Sequence, residues 1–168
     1  MSTQLPEDVQ AVLLGLSDSH AILSGFLAGV SEEALHTRRG EGFWTIAEHA
    51  AHLAEVQPMG LMRITRMLEE DTPEFVPFVP NEKEDAEKPS LPPMTQVLAD
   101  FKKGRDAIVE KLKAASPEDW GRRAIHPEYK EYGLRIFARH IFMHDHWHLY
   151  RMEELWLTRD AYLSGKGD

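Results

Sequence analysis

The chain has no cysteine. Disulfide scaffolds, thiolate nucleophiles and cysteine-based zinc or iron–sulfur sites are thereby excluded. Any metal must rest on histidine, aspartate or glutamate. Basic side chains are scarce too: 19 Lys and Arg stand against 28 Asp and Glu, a formal net charge of -9. That balance argues against nonspecific binding to nucleic acid or to an anionic membrane. No stretch approaches the ~20 apolar residues of a membrane span. The opening residues Met1–Asp8 lack the basic region and apolar run of a secretory signal. The expectation is a soluble cytoplasmic protein. Alternating strand patterns of useful length and repeats at a solenoid period are also missing. What is present is 168 residues, 42% hydrophobic and 28% charged. That is the size of a single domain, 1–168, able to bury roughly 70% of the surface its unfolded chain exposes.

Four long segments carry helical periodicity. The first runs from about Pro6 to Val30, with Val9, Leu13, Leu16, Leu23, Leu27 and Val30 at three- and four-residue steps. Pro6 suits a first turn, and Glu7 and Asp8 suit the positive end of the dipole. A short extra turn follows at Ser31–Leu35. The second helix starts at Thr45, where Thr45-Ile46-Ala47-Glu48 forms a capping box. It extends to about Glu69, with a kink expected at Pro58. Residues 71–93 hold six prolines and six acidic side chains, an irregular excursion too long for a simple connector. The third helix runs from Pro93 to Ala115 and the fourth from Gly133 to about Leu163. The fold expected is all-α: an antiparallel four-helix bundle with a long irregular connection between its second and third helices.

The fourth helix places Leu134, Phe137, Ile141, His144, His148, Met152 and Leu155 on one seam. His144 and His148 lie about 40° apart and one turn apart in height, so their rings can converge. His140 is one turn further away, and His146 points elsewhere. Two buried imidazoles leave polar atoms whose desolvation costs on the order of 1–3 kcal/mol each if unpaired. A divalent cation resolves this by accepting a lone pair from each ring. His52 sits on the inward face of the second helix with Leu53, Val56 and Met59, whereas His49 is about 60° off. A site of His52, His144 and His148 at one end of the core would leave a coordination position open, the catalytic pattern. A hydrogen-bonded polar core is the alternative reading of the same residues.

Two motifs carry a family resemblance. Trp44-Thr45-Ile46-Ala47-Glu48-His49-Ala50-Ala51-His52-Leu53 matches a Trp-Ser/Thr-x-x-Glu-x-x-x-His-Leu pattern. His126-Pro127 and Gly133, followed by His140, His144 and His148, match a His-Pro…Gly loop before His-x-x-x-His-x-x-x-His. Together they resemble the DinB/YfiT-like superfamily of small bacterial four-helix proteins. The resemblance implies His52, His144 and His148 as ligands of one divalent ion, nickel or zinc. It also implies a homodimer and a small-molecule substrate. Activities in that superfamily include thiol-dependent S-transfer, so the expected function is activation of an external low-molecular-weight thiol or of water. The alternative is a noncatalytic, metal-dependent binding or stress-response protein. After the last ligand this chain reads Leu149-Tyr150-Arg151 where many members read Arg-Gly-Gln.

Further residues have a plain reading beside a functional one. Glu48 reads as the capping-box acid, with orientation of a histidine as the alternative. Asp145 is expected to be solvated or to orient His144. Glu55 is expected in a surface salt bridge, or as a general base. His20 reads as a core histidine or a cavity-lining one. Arg105, on the third helix's apolar stripe, is expected to snorkel outward, or else to pair with a substrate carboxylate. Trp44, Trp120, Trp147 and Trp156 read as core or dimer-contact residues. The 71–93 stretch reads as a solvated loop, or as a lid.

Overall fold

The computed structural model describes residues 4–78 and 90–165. Its helices are α1 (Glu7–Ala28), α2 (Glu32–His36), α3 (Ile46–Glu55), α4 (Gln57–Glu69), α5 (Met94–Ala114) and α6 (Leu134–Leu157), with short strands β1 (Arg123–Ala124) and β2 (Tyr132–Gly133). The capping box forms as expected. Thr45 Oγ1 accepts from the Glu48 N–H at 3.1 Å, and Glu48 Oε2 accepts from the Thr45 N–H at 2.7 Å. Arg38 adds a second contact to Glu48 at 2.7 Å.

The long second helix breaks into α3 and α4 at Val56, two residues before the proline blamed for the kink. Pro58 has no N–H, and its ring presses on the carbonyl four residues back, so the ladder is interrupted there. Gln57 turns its side-chain amide onto the Leu53 carbonyl at 2.7 Å.

Core side chains fall into two clusters. One gathers Val9, Leu13 and Leu16 of α1 with Ile64 and Met67 of α4, Ile108 and Leu112 of α5, and Leu134 and Phe137 of α6. The other gathers Leu23 and Leu27 of α1 with Ile46, Ala50 and Leu53 of α3, Val97 and Phe101 of α5, and Met152 and Leu155 of α6. Helices α1 and α6 therefore run one way, and α3–α4 and α5 run the other. Because α4 and α5 point in the same direction, the end of α4 and the start of α5 lie at opposite ends of the bundle, a separation no tight turn can span; within the 71–93 connection, 79–89 lie outside the described residues.

Between the two apolar clusters lies a polar layer. Ser19, Gln57, Arg105 and Asp145 are all buried, at 2%, 2%, 1% and 2% exposure. Arg105 and Asp145 overturn their sequence readings: neither reaches solvent. The guanidinium grips the carboxylate twice, Nη1 to Oδ2 at 2.5 Å and Nη2 to Oδ1 at 3.0 Å. It also donates to Ser19 Oγ at 2.7 Å and to Gln57 Oε1 at 3.2 Å. Burial pushes the Asp145 carboxyl up, against the opposing pull of the guanidinium. Gly104 permits this approach, since a Cβ there would sit 2.4 Å from Gln57 Cβ.

Three further features depart from the sequence reading. α6 ends at Leu157 rather than Leu163, because Arg39 takes its terminal carbonyls: Nη1 donates to Leu155 O at 2.5 Å and Nη2 to Thr158 O at 2.8 Å. Strands too short for an alternation signal pair β1 with β2, and the segment around Glu74 joins them through Phe75 N–H to Ile125 O at 2.9 Å. Helix α1 is, by length and composition, apolar enough to cross a membrane. In this fold its stripe Val9, Leu13, Leu16, Leu23 and Leu27 is buried in the bundle.

Candidate metal centre

The polar layer continues into a histidine cluster. His52 comes from the last turn of α3; His144 and His148 come from the middle of α6. Their Nε2 atoms converge: His144 Nε2 lies 3.2 Å from His52 Nε2 and 3.2 Å from His148 Nε2. One ligand atom from each of the three falls within 4.8 Å of the other two. The three residues singled out by spacing are thus the three brought together, in the middle of the bundle rather than at one end of its core.

The cluster is electrically neutral. Burial, reinforced by the neighbouring imidazoles, pushes His144 down to about 4 and His148 to about 2. Burial lowers His52 as well, partly offset by the charge of Glu55. At neutral pH three uncharged rings therefore aim nitrogens at one point. A hydrogen there can serve one close contact well, so the arrangement leaves nitrogen lone pairs facing each other. The donor set fits a divalent ion. Four-coordinate zinc with Zn–N of 2.0–2.1 Å holds its nitrogens about 3.3 Å apart, close to the observed 3.2 Å.

His49 is drawn in as well. It is buried, 4% exposed, and its Nδ1 lies 2.8 Å from His148 Nδ1. Burial and the Arg151 charge hold it down at about 4. Trp44 and Trp147 wall this side of the cluster. Trp44 stands 5.2 Å from His49 and 5.3 Å from His52 between ring centroids, and Trp147 stands 4.8 Å from His148. Of the four tryptophans only Trp120 is a core residue, at 4% exposure.

On the other side His52 and His144 line a cavity of about 270 Å³, shared with Arg63, His126, Tyr129, Tyr132, Phe137 and His140. Burial, with the Arg63 charge behind it, lowers both His126 and His140. His140 thus belongs to the cavity and not to the cluster. Glu55 is exposed, makes no ion pair among the described residues, and lines a separate, larger groove of about 600 Å³ between α3, α4 and α5. His20 stacks on Phe101 at 6.4 Å as a packing residue.

Arg63 and the aromatic lining escaped the sequence reading. One arginine among the polar positions of α4 gives no periodic signal, and the segments that bury it, around Val76 and the two-residue strand at Tyr132, are too short to give one.

Comparison with known proteins agrees with this layout. YfiT from Bacillus subtilis, described as a probable metal-dependent hydrolase with an unusual four-helix bundle topology, superposes with a TM-score of 0.74 at 19% identity, over 92% of this chain and 90% of that one. A Geobacillus thermodenitrificans (strain NG80-2) protein named "Putative metal-dependent hydrolase" is 32% identical over 87 residues, 51% of this chain. The match spans about half of that relative, 49% of its length. The sequence pattern of the DinB superfamily matches residues 16–152, and the chain belongs to that superfamily.

Proposed function

We propose that the protein is a metal-dependent hydrolase acting on a small molecule, with one divalent ion, zinc or nickel, held by Nε2 of His52, His144 and His148. The observation that carries this reading is the convergence of three neutral imidazoles from two separate helices, with His144 Nε2 3.2 Å from each of the other two Nε2 atoms and all three ligand atoms within 4.8 Å of one another. The names of the similar Bacillus and Geobacillus proteins point the same way.

An ion bound there supplies Lewis acidity, which polarises a carbonyl and makes water a nucleophile at neutral pH. The chain's own residues do the rest. With every Nε2 bare for coordination, each ring carries its hydrogen on Nδ1. His148 Nδ1–H then donates to His49 Nδ1, which fixes the tautomer and plane of His148. Trp44 and Trp147 limit water on the side away from the cavity. The cavity holds the substrate against His52 and His144. There His140, kept neutral by burial, can accept a proton from a reacting group.

The test is metal content followed by turnover. Protein stripped and reloaded with zinc or nickel should bind one equivalent, and His52→Ala, His144→Ala and His148→Ala should each lose most of it. The loaded wild type should hydrolyse members of an ester and amide panel. Turnover only with an added thiol and an electrophile would instead assign S-transfer, for which this cysteine-free chain must borrow its thiol. Wild type that binds no more metal than the His144→Ala variant overturns the site itself. Loaded protein inert towards every panel leaves a metal-dependent binding module.

A further inference from the structure

The fold buries three arginines: Arg63, Arg105 and Arg151, at 7%, 1% and 5% exposure. Two have a carboxylate in hand, Arg105 with Asp145 at 2.5 Å and Arg151 with Glu154 at 2.5 Å. Arg63 has none among the described residues. Its Nη1 donates to the Tyr132 hydroxyl at 2.9 Å and its Nη2 to the Val76 carbonyl at 2.7 Å, both neutral. Its Nε is buried without a partner. Phe75 and Phe137 rings lie 5.3 and 5.8 Å from the guanidinium, which softens the charge but does not neutralise it. A buried cation lacking a counter-ion is costly, and this one lines the cavity that opens on His52 and His144.

We propose that this cavity is a carboxylate-recognition pocket anchored by Arg63, so that the substrate is a small molecule bearing a carboxylate away from the bond to be cleaved. The reacting end of that statement rests on the hydrolase reading; the anion-binding end does not. The lining supports the ligand class. Glu128, the acidic residue on the cavity wall, is 61% exposed and stands 3.9 Å from His126 rather than on the guanidinium. His126 and His140 feel the Arg63 charge and are neutral, so the pocket holds a single positive charge. One charge matches a carboxylate monoanion better than a phosphate dianion. Each Nη keeps a second N–H beyond its bond to Tyr132 or Val76, and adjacent guanidinium N–H groups form the fork that a carboxylate accepts bidentately. Tyr129, Tyr132 and Phe137 supply flat apolar walls, and about 270 Å³ is below the range for drug-sized ligands.

The experiment titrates butyrate, its isosteric amide butyramide, and inorganic phosphate into the metal-free full-length protein, followed by calorimetry and two-dimensional NMR. Butyrate should bind saturably and shift resonances of Arg63 and Tyr132, with butyramide weaker by at least about tenfold, the loss of one charge-assisted pair. Arg63→Met should lose butyrate by a similar factor, and Arg63→Lys, which keeps the charge but not the fork, should fall between. If Arg63→Met fails to fold by circular dichroism, the butyrate-to-butyramide contrast in wild type and the Arg63→Lys value decide. Butyramide bound within twofold of butyrate, undiminished butyrate binding in Arg63→Met, or no saturable butyrate binding overturns the proposal. Phosphate bound more tightly than butyrate also overturns it and reassigns the pocket. Carboxylate binding without hydrolysis of any panel member refutes the hydrolase reading and leaves this one standing.

Discussion

Removing the Asp145 carboxylate should cost a large share of the protein's stability. Arg105 has nowhere to go: it is 1% exposed and its donors are spent on Asp145, Ser19 and Gln57. In Asp145→Leu the guanidinium keeps only neutral acceptors, and loss of one partner of a buried pair costs about 3–5 kcal/mol. Native domains have about 5–15 kcal/mol in total, so the variant stands near the edge of folding. With a urea dependence of about 2 kcal/mol per molar, the unfolding midpoint should fall by about 1.5–2.5 M. Arg105→Met should cost a similar amount. The double variant Arg105→Met/Asp145→Leu should recover to within about 2 kcal/mol of wild type, because no stranded charge is left. The coupling energy across the cycle should then be at least about 3 kcal/mol. Urea titrations read by circular dichroism and tryptophan fluorescence give all four midpoints. Additive losses in the double variant, or a single variant costing under about 1 kcal/mol, would refute the interlock.

Three other outcomes follow. His49→Phe should keep one metal equivalent per chain but weaken it by about 10–100-fold in chelator competition, since His148 loses the partner that sets its tautomer; unchanged affinity would remove His49 from the site. Metal-free protein should lose stability as pH falls from about 6.5 towards 4. His49 and His148 are held at about 4 and about 2 when folded, so the unfolded chain takes up their protons first, at about 1.4 kcal/mol per pH unit for each ring. That amounts to about 3 kcal/mol for the pair between pH 6.5 and pH 5, since the unfolded rings are already half protonated at the upper end, and a flat midpoint over that interval would contradict it. Thr45→Ala should cost about 0.5–2 kcal/mol by uncapping the helix that carries His52, while an otherwise equivalent substitution at exposed Thr72 should cost far less.

The sequence made the bundle and its three converging histidines legible because both follow from the 3.6-residue period. Apolar steps locate each helix, and an i, i+4 pair on such a stripe must face inward. Angles around one helix say nothing about what the neighbouring helix presents, and there the reading went astray. His49 lies off the His52 direction, yet α6 passes close enough for His148 to reach it. Arg105 and Asp145 looked like surface charges because each one's partner is 40 residues away on another helix. The long stretch after α4 was visible as an anomaly. Its cause, two helices running in the same direction, needs the tertiary arrangement. Arg63 gave no signal because its burial depends on segments too short or too irregular for any periodicity to describe.

His52 and His144 stand 92 residues apart in the chain, and between them lie all of α4, the 71–93 connection, all of α5 and the β1–β2 hairpin. A shared ion would fasten the two ends of that length together like a clasp on a strap. Closing so long a segment restricts the unfolded chain far more than closing a single turn. Chelation should therefore raise hydrogen exchange across α4 and α5 as well as at the histidines, so that the bundle loosens as one body instead of fraying where the ligands sit.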